Sequence, residues 1–326
     1  MKSLLVGIFL ILSLSSLGQK IKGLSFVAAP EKISMKNVNP MVEVGAEWAA
    51  LMPYGFIQNK QLIFNSKYQW YGEREEGLKE TIDLCQKAGL KIMVKPQVWI
   101  PRGYTGDFTC ENEDEWKAFE ASYSKFILTF AKVAEEKNVE LFCIGTEWEK
   151  FVLHSPTYWE DLIKEVKEVY SGEITYAANW DEFTKVPFWD DLDFIGIDAY
   201  FPVAASIETT PNELNASWKK LNKELSNYSS LMKKKIIFTE IGYRSIVQCV
   251  TRPWEAGDDG VYSQYAQLMA YTAMFENVWE EEWFEGLFLW KWHHNHNDFG
   301  KNENRRFTPQ GKMAAQYLKE FWTKNS

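Results

Sequence analysis

The sequence has few cysteines and histidines, four of each among 326 residues, and no two cysteines form a CxxC pair. This spacing excludes a zinc ribbon and a thioredoxin-type redox site. Cys85 falls in a helical pattern and Cys143 in an apolar run, which predicts that both are buried. Cys110 and Cys249 lie in predicted loops, and their spacing leaves open whether they pair.

Basic residues are also in deficit. Lys and Arg number 36 against 45 Asp and Glu, and the net charge is −9, so we expect no nucleic-acid partner and no nonspecific binding to anionic lipid. The chain has no glycine-rich phosphate loop and no Gly-x-Ser-x-Gly motif. P-loop nucleotide hydrolases and serine hydrolases of the nucleophile-elbow type are therefore excluded.

Long apolar runs are missing as well. The apolar stretch at residues 4–14 is shorter than the about 20 residues that a transmembrane helix needs. It follows Lys2 and precedes small residues at positions −3 and −1 of a cut between Gly18 and Gln19. This pattern predicts a secretory signal peptide at residues 1–18. We expect a secreted or periplasmic protein without membrane insertion once the signal is removed.

Aromatic side chains, by contrast, are abundant, with 15 Trp, 15 Tyr and 21 Phe. A large core accounts for many of them. Trp and Tyr also present an apolar face with a polar edge, a combination that suits contact with a sugar ring.

Short apolar runs alternate with helical patterns from residue 23 onward. The runs are apolar nearly throughout, as expected of parallel strands buried on both faces. Eight runs, each followed by a segment able to form a helix, predict an α/β fold, a single (β/α)8 TIM barrel, and no linker or repeat divides residues 19–326. The runs are 23–29, 44–54, 91–99, 141–147, 174–180, 194–200, 235–243 and 286–292. The predicted helices are 74–88, 112–137, 156–170, 211–230, 260–280 and 308–322, with weaker segments at 32–41 and 181–190.

Four of these runs contain a carboxylate that is a candidate for chemistry. The C-terminal ends of barrel strands form the active face of this fold. Glu47 comes early in its run, which puts it mid-barrel or lower, and Asp198 has the apolar neighbours of a structural acid. Glu147 ends the fourth run and Glu240 lies in the seventh, and the two can face each other across the mouth. Two carboxylates about 5–5.5 Å apart suit retaining glycoside hydrolysis; the alternative is that each closes a salt bridge at the rim.

Four segments, taken in order, resemble glycoside hydrolase family 113, the β-mannanase family in the clan of retaining glycosidases with Glu on strands 4 and 7. The resemblance covers about residues 22–322 and implies Glu147 as acid/base and Glu240 as nucleophile in one catalytic domain. Thr146 stands where many clan members carry an Asn that binds the sugar 2-hydroxyl, so Asn179 is the candidate for that contact. The segments are CIGTEWE (143–149), TYAANWDEF to FIGIDAYFPV (175–203), FTEIGYRS (238–245) and LWKW (289–292).

Other residues at strand ends are candidates for substrate binding. Tyr200 is placed to hydrogen-bond the nucleophile and keep it ionised, or else is a buried Tyr satisfied by backbone. Of Trp290 and Trp292, one is expected to face the helix layer and the other to form a floor under the reacting sugar. Lys95 and Gln97 are polar in an apolar run and are expected to bind sugar hydroxyls. Further platforms, or simply core residues, are Trp99, Trp148 and Trp180.

The leading functional hypothesis is a monomeric retaining hydrolase of β-1,4-mannosidic bonds in mannan, glucomannan or manno-oligosaccharides. The first alternative is the same chemistry on another β-linked glucan or on a terminal mannose, which the loops at 101–111 and 245–260 would decide. The second alternative is a noncatalytic carbohydrate-binding barrel. The presence of both Glu147 and Glu240 argues against it, because a pure binding protein has no need of the second carboxylate.

The histidine-rich segment KWHHNHND (291–298) contains residue types that bind zinc. His293, His294, His296 and Asp298 lack the spacing of HExxH, and the proposed chemistry needs no metal. We therefore predict no metal and no other cofactor, and expect the segment to line the substrate.

Overall fold

The computed structural model describes residues 19–101, 103–206, 208–299 and 303–325. Its centre is a closed barrel of eight parallel strands, each hydrogen-bonded to its neighbours in chain order, with the eighth paired to the first. The predicted (β/α)8 barrel is therefore confirmed, while the predicted signal peptide at residues 1–18 lies outside the described residues. The strands are β1 (Ile21–Val27), β2 (Trp48–Leu51), β3 (Lys91–Val94), β4 (Leu141–Thr146), β5 (Glu173–Asn179), β6 (Ile195–Asp198), β7 (Ile236–Ile241) and β8 (Phe284–His293).

Helices cover the outside of the barrel. The six predicted strongly from periodicity form within a few residues of their expected bounds, and the weak segment at 32–41 also contains a helix. The longest begins at Asn112, whose side chain accepts a hydrogen bond from the Glu115 N–H, with three acidic residues in its first turn. The helices are α1 (Met35–Glu43), α2 (Glu75–Lys87), α3 (Glu113–Glu136), α4 (Glu149–His154), α5 (Pro156–Val169), α6 (Pro211–Met232), α7 (Gln264–Val278) and α8 (Met313–Lys324).

The core has two layers because alternate side chains of each strand face opposite ways. Leu141 and Cys143 of β4 belong to a small cluster inside the barrel, whereas Phe142 and Ile144 pack outward with the helices. All four cysteines are buried and free, so the possible bond between Cys110 and Cys249 is not formed. None of the described helices is long and apolar enough to cross a membrane.

Proline residues end two of the predicted strands early. The runs at 44–54 and 91–99 break near Pro53 and Pro96, which have no N–H to donate to a strand neighbour. Beyond the breaks the chain forms a small separate sheet in which Tyr54–Gln58 pairs with Gln61–Ile63 and with Gln97–Trp99. The weak segment at 181–190 contains only two short 3-10 turns.

Glu47 lies low in the barrel. It precedes β2, its N–H donates to the Lys22 carbonyl, and its carboxylate pairs with the Lys22 ammonium at 3.0 Å. This contact is at the N-terminal end of the strands, away from the ends that carry Glu147 and Glu240.

Candidate active site

A cavity of about 580 Å³ lies at the C-terminal ends of the barrel strands, and both Glu147 and Glu240 line it. Glu147 directly follows β4, and Glu240 is the penultimate residue of β7. Two strands, β5 and β6, separate them in the barrel order. The two carboxylates thus reach one space from different parts of the rim.

Glu240 is 6% exposed and accepts hydrogen bonds on both carboxylate oxygens. Its Oε1 accepts from Lys95 Nζ and, at 2.6 Å, from Gln97 Nε2. Its Oε2 accepts from the Tyr200 hydroxyl at 2.8 Å. Donors that point at a carboxylate stabilise its ionised form and fix its orientation, which is what a nucleophile requires.

Asp198 lies behind this group and shares the same ammonium. Both of its oxygens are 3.2 Å from Lys95 Nζ, and the Thr239 hydroxyl donates to Oδ1 at 2.8 Å. Burial and, secondly, the charge of Glu240 raise the pKa of Asp198 to about 7. Burial alone would lower the pKa of Lys95, but Asp198 and Glu240 outweigh it and the net shift is upward.

Glu147 has an unusual backbone conformation, with φ of 55° in the left-handed region. A non-glycine residue there costs on the order of 1–3 kcal/mol and such residues cluster at functional sites. Its N–H donates to the Ala177 carbonyl at 2.8 Å, which ties it to β5. Burial, then the charges of Asp198 and Glu240, raise the pKa of the Glu147 carboxyl well above its usual range. Glu147 therefore keeps its proton more readily than a free Glu.

Trp148 anchors Glu147 rather than binding substrate. Its backbone N–H donates to the Tyr176 hydroxyl at 2.7 Å, and its side chain is 1% exposed. The ring packs edge-on to Phe108 and Tyr123 in the outer core. The prediction of Trp148 as a sugar platform is wrong because the residue after Glu147 points into the helix layer.

The end of β5 supplies polar and aromatic wall to the cavity. Asn179 lines it beside Thr146; its N–H donates to Glu182 Oε1 at 2.7 Å, and its Oδ1 accepts from the Trp180 N–H at 2.9 Å. Burial raises the pKa of Glu182 to about 7. Trp180 stacks on Trp254, with 5.4 Å between ring centroids and 17° between the planes, and both rings line the cavity.

The two tryptophans of β8 face opposite ways. Trp290 lines the catalytic cavity and also a neighbouring cavity of about 810 Å³, and the Trp290–Lys291 peptide is cis. Trp292 is 1% exposed, belongs to the outer core and stacks on His296 at 5.3 Å. Trp292 was a substrate-binding candidate, and that prediction is wrong. In a regular strand Trp290 and Trp292 would share a face. The register between β8 and β1 shifts between Leu289 and Trp292, and this irregularity turns Trp292 into the helix layer.

The two polar candidates of strand 3 also differ. Gln97 lines the cavity while it contacts Glu240. Lys95 is 0% exposed and its ammonium is occupied by two carboxylates, so the prediction that it binds sugar hydroxyls is wrong. Trp99 is 51% exposed and does not line the catalytic cavity. It lines the 810 Å³ cavity and also a third cavity of about 760 Å³. This third cavity shares Tyr104 with the catalytic cavity.

The histidine segment lies at the neighbouring cavity, where His293 and His294 line the wall. His293 stacks on Phe299, and burial lowers its pKa to about 3. Across the described part of the chain, no three His, Cys, Asp or Glu side chains are grouped as a metal site would require.

Comparison with known proteins identifies this arrangement. The sequence profile of glycoside hydrolase family 113 matches residues 28–312. The chain belongs to glycoside hydrolase family 113. No curated protein matches it significantly.

Solved structures show the same fold for this family 113 hydrolase. The family 113 β-mannanase AaManA of Alicyclobacillus acidocaldarius, in complex with ManMIm, is 23% identical with a TM-score of 0.82, covering 96% of this chain and 100% of that one. A family 113 β-1,4-mannanase complex is 22% identical with a TM-score of 0.78, covering 94% and 99%. A β-glucuronidase of Faecalibacterium prausnitzii is 15% identical with a TM-score of 0.62, covering 94% of this chain and 49% of that one.

Sequence reasoning missed several residues of the family 113 site, among them Tyr104, Tyr176, Glu182 and Trp254. Tyr176 and Glu182 support the site from outside the cavity, because their side-chain oxygens accept hydrogen bonds from the backbone N–H groups of Trp148 and Asn179. The position of Glu182, three residues after Asn179, was a usable signal for the second, since a Glu side chain can reach back to the N–H three residues earlier, as in a capping box. Tyr104 and Trp254 reach the cavity from loops, where no periodicity indicates direction.

Proposed function

We propose that this family 113 hydrolase is a retaining, endo-acting enzyme that cleaves β-1,4-mannosidic bonds in mannan, glucomannan or manno-oligosaccharides. The proposal depends chiefly on two carboxyl groups in one cavity whose surroundings favour opposite protonation states. Burial and neighbouring charge favour the protonated form of Glu147. Glu240 instead accepts hydrogen bonds from Lys95, Gln97 and Tyr200, which suits the ionised form. One group can give a proton while the other attacks.

In the first step, a Glu240 carboxylate oxygen forms a bond to the anomeric carbon, and the bond from that carbon to the leaving oxygen breaks. The electron pair of the broken bond stays on the leaving oxygen, which takes the proton of Glu147. Glycosylated Glu240 is a neutral ester. The charge that raised the pKa of Glu147 has then disappeared, so Glu147 is set to act as a base.

In the second step, water attacks the anomeric carbon from the side that the leaving group vacated, and Glu147 takes a proton from it. The ester bond to Glu240 breaks and its electron pair restores the carboxylate. Two displacements at one carbon retain the β-configuration. Lys95, Gln97 and Tyr200 remain in place to receive the returning charge.

Two observations support a polymeric mannoside as the substrate. Structures of the same family and fold carry the names β-mannanase and β-1,4-mannanase. The catalytic cavity also shares Trp290 with a cavity of about 810 Å³ and Tyr104 with one of about 760 Å³. Aromatic walls at each of them can hold more than one sugar unit, which favours attack within a chain over removal of a terminal mannose.

The test is a substrate panel with product sizing. The protein from Gln19 onward is incubated with mannan, glucomannan, cellulose, a mixed-linkage β-glucan and a chromogenic β-mannoside, and the products are separated by length. We expect mannan and glucomannan to yield a ladder of oligosaccharides from the start. Glu147→Gln and Glu240→Gln should each lose this activity but remain folded, as shown by a cooperative thermal unfolding transition.

Other outcomes would replace the proposal. Release of mannose alone would show exo action, and preference for the glucans would change the substrate. Binding to mannan without hydrolysis at any pH, unchanged in both glutamine variants, would show a noncatalytic barrel.

A further inference from the structure

We infer that Lys95 is a positioning residue for the nucleophile, which keeps Glu240 charged and aimed, and that Asp198 holds Lys95 in place from behind. This inference rests on the proposed function. It gives Lys95 a role in the chemistry although no part of its side chain is open to the cavity.

Burial and ion pairing fix the position of the Lys95 ammonium. The side chain of Lys95 is 0% exposed, with Asp198 at 1% and Glu240 at 8%. A buried ammonium is costly unless opposite charge and hydrogen bonds satisfy it. Lys95 has both in two carboxylates, so its position is fixed by charge as well as by packing.

The backbone places the ammonium on one oxygen of the nucleophile. Lys95 continues the strand ladder one residue past β3, with its N–H on the Leu51 carbonyl at 2.9 Å. Gln97 then donates to the same Oε1 as Lys95, and the Tyr54 hydroxyl fixes the Gln97 amide by donating to its oxygen at 2.7 Å. The segment that follows β3 thus provides two donors for one carboxylate oxygen.

The Lys95 ammonium affects the pH at which the neighbouring carboxyl groups take up protons. Three carboxyl groups, Glu147, Asp198 and Glu240, surround one ammonium. Removing the ammonium leaves the three acids to repel one another, so each should take up its proton at higher pH. Removing Asp198 has the opposite effect on Glu147, because the charge of Asp198 raises the pKa of Glu147. The other titratable groups that act on these residues are Tyr54, Tyr104, Cys143, Glu182, Tyr200 and Lys291.

The experiment compares pH profiles of kcat/KM for wild type, Lys95→Met and Asp198→Asn. Lys95→Met should move the acidic limb up by about one pH unit or more, the usual effect of losing a contacting opposite charge, and lower kcat by about 100-fold or more with little change in KM. Asp198→Asn should move the alkaline limb down. The two variants are therefore predicted to shift the profile in opposite directions.

Lys22→Met is the matched control. Lys22 is also a 0% exposed lysine paired with a glutamate, but at the other end of the barrel. Its loss should lower the melting temperature and leave the pH limbs in place. If Lys22→Met moves the limbs as Lys95→Met does, the shift is a general effect of an unfilled buried site, and the inference fails.

Two further results would overturn it. A rise in KM with unmoved limbs in Lys95→Met would show that Lys95 serves sugar binding, and unmoved limbs in Asp198→Asn would remove Asp198 from the account. Should Lys95→Met not fold, the Asp198→Asn profile decides alone. Lys95 lowers the pKa of Glu147, and carbon-13 titration of the Glu147 carboxyl needs no turnover. A Glu147 midpoint unchanged by Lys95→Met therefore refutes the inference even if the proposed substrate is wrong.

Discussion

Replacing Glu240 by Gln should lower the pKa of Glu147. The substitution removes one negative charge and keeps the shape of the side chain, including an oxygen for the Tyr200 or Lys95 donor. Burial, Asp198 and Glu240 all act to raise the pKa of Glu147, in that order. The variant therefore removes the third of these causes and leaves the first two.

The size of the effect follows from charge separation and shielding. Two unit charges about 5 Å apart at an effective dielectric constant of about 20 repel by roughly 3 kcal/mol, which corresponds to about two pKa units. Lys95 contacts Glu240 and cancels part of this repulsion. We therefore expect the pKa of Glu147 to fall by about one unit, on the order of 1.4 kcal/mol.

The assay is carbon-13 NMR of protein labelled at the Glu side-chain carboxyls, titrated at constant salt. The Glu147 resonance is assigned by its loss in Glu147→Gln. Glu182→Gln is the control, because Glu182 is another buried carboxylate but acts on Glu147 less than Asp198, Glu240 or Lys95 do. It should move the Glu147 titration much less than Glu240→Gln.

An unchanged pKa of Glu147 in Glu240→Gln would refute the reasoning. It would mean that burial sets this pKa alone, and that the change of Glu147 from acid to base needs another cause. An equal fall in Glu182→Gln would show that the effect is not specific to the nucleophile.

Three further outcomes are expected. Azide should rescue Glu147→Ala and give a β-configured glycosyl azide, because a small anion attacks the intermediate without base help; Glu240→Ala should not form that product, and the reverse behaviour would exchange the two roles. Tyr200→Phe should lower kcat about tenfold or more with little change in KM, since it removes one hydrogen bond to a charged group; a pure KM effect would make Tyr200 a substrate ligand. Trp254→Ala should weaken binding of long oligosaccharides by a few-fold to tenfold by calorimetry, through the loss of the Trp180 stack; equal affinity would remove this wall from the substrate path.

Sequence reasoning predicted the barrel and placed the two glutamates because both depend on local pattern. An apolar run marks a buried strand, and its last residue is at the active face whatever the details of packing. Glu147 follows from that rule, whereas Glu240 lies three residues before the end of the predicted run at 235–243 and was also supported by the family resemblance. The bounds of β2 and β3 were too long, although Pro53 and Pro96 in the sequence were a sufficient reason to end them.

Side-chain direction at the barrel mouth could not be predicted in the same way. Regular alternation would put Trp290 and Trp292 on the same face, and the register shift in β8 that separates them cannot be read from a single sequence. Lys95 looked like a sugar ligand because its partner Asp198 is more than a hundred positions away in the chain. Contacts of that kind depend on the closure of the barrel, which a single sequence does not display.

The stereochemistry of the first product tests the central claim most directly. Proton NMR can follow the anomeric signals during hydrolysis of a β-1,4-manno-oligosaccharide by the wild-type protein, at a concentration that makes cleavage faster than mutarotation. Attack by Glu240 followed by attack of water predicts that the β-anomer appears first and the α-anomer only later, by mutarotation. If the α-anomer appears first, the enzyme inverts, and Glu240 is not a nucleophile.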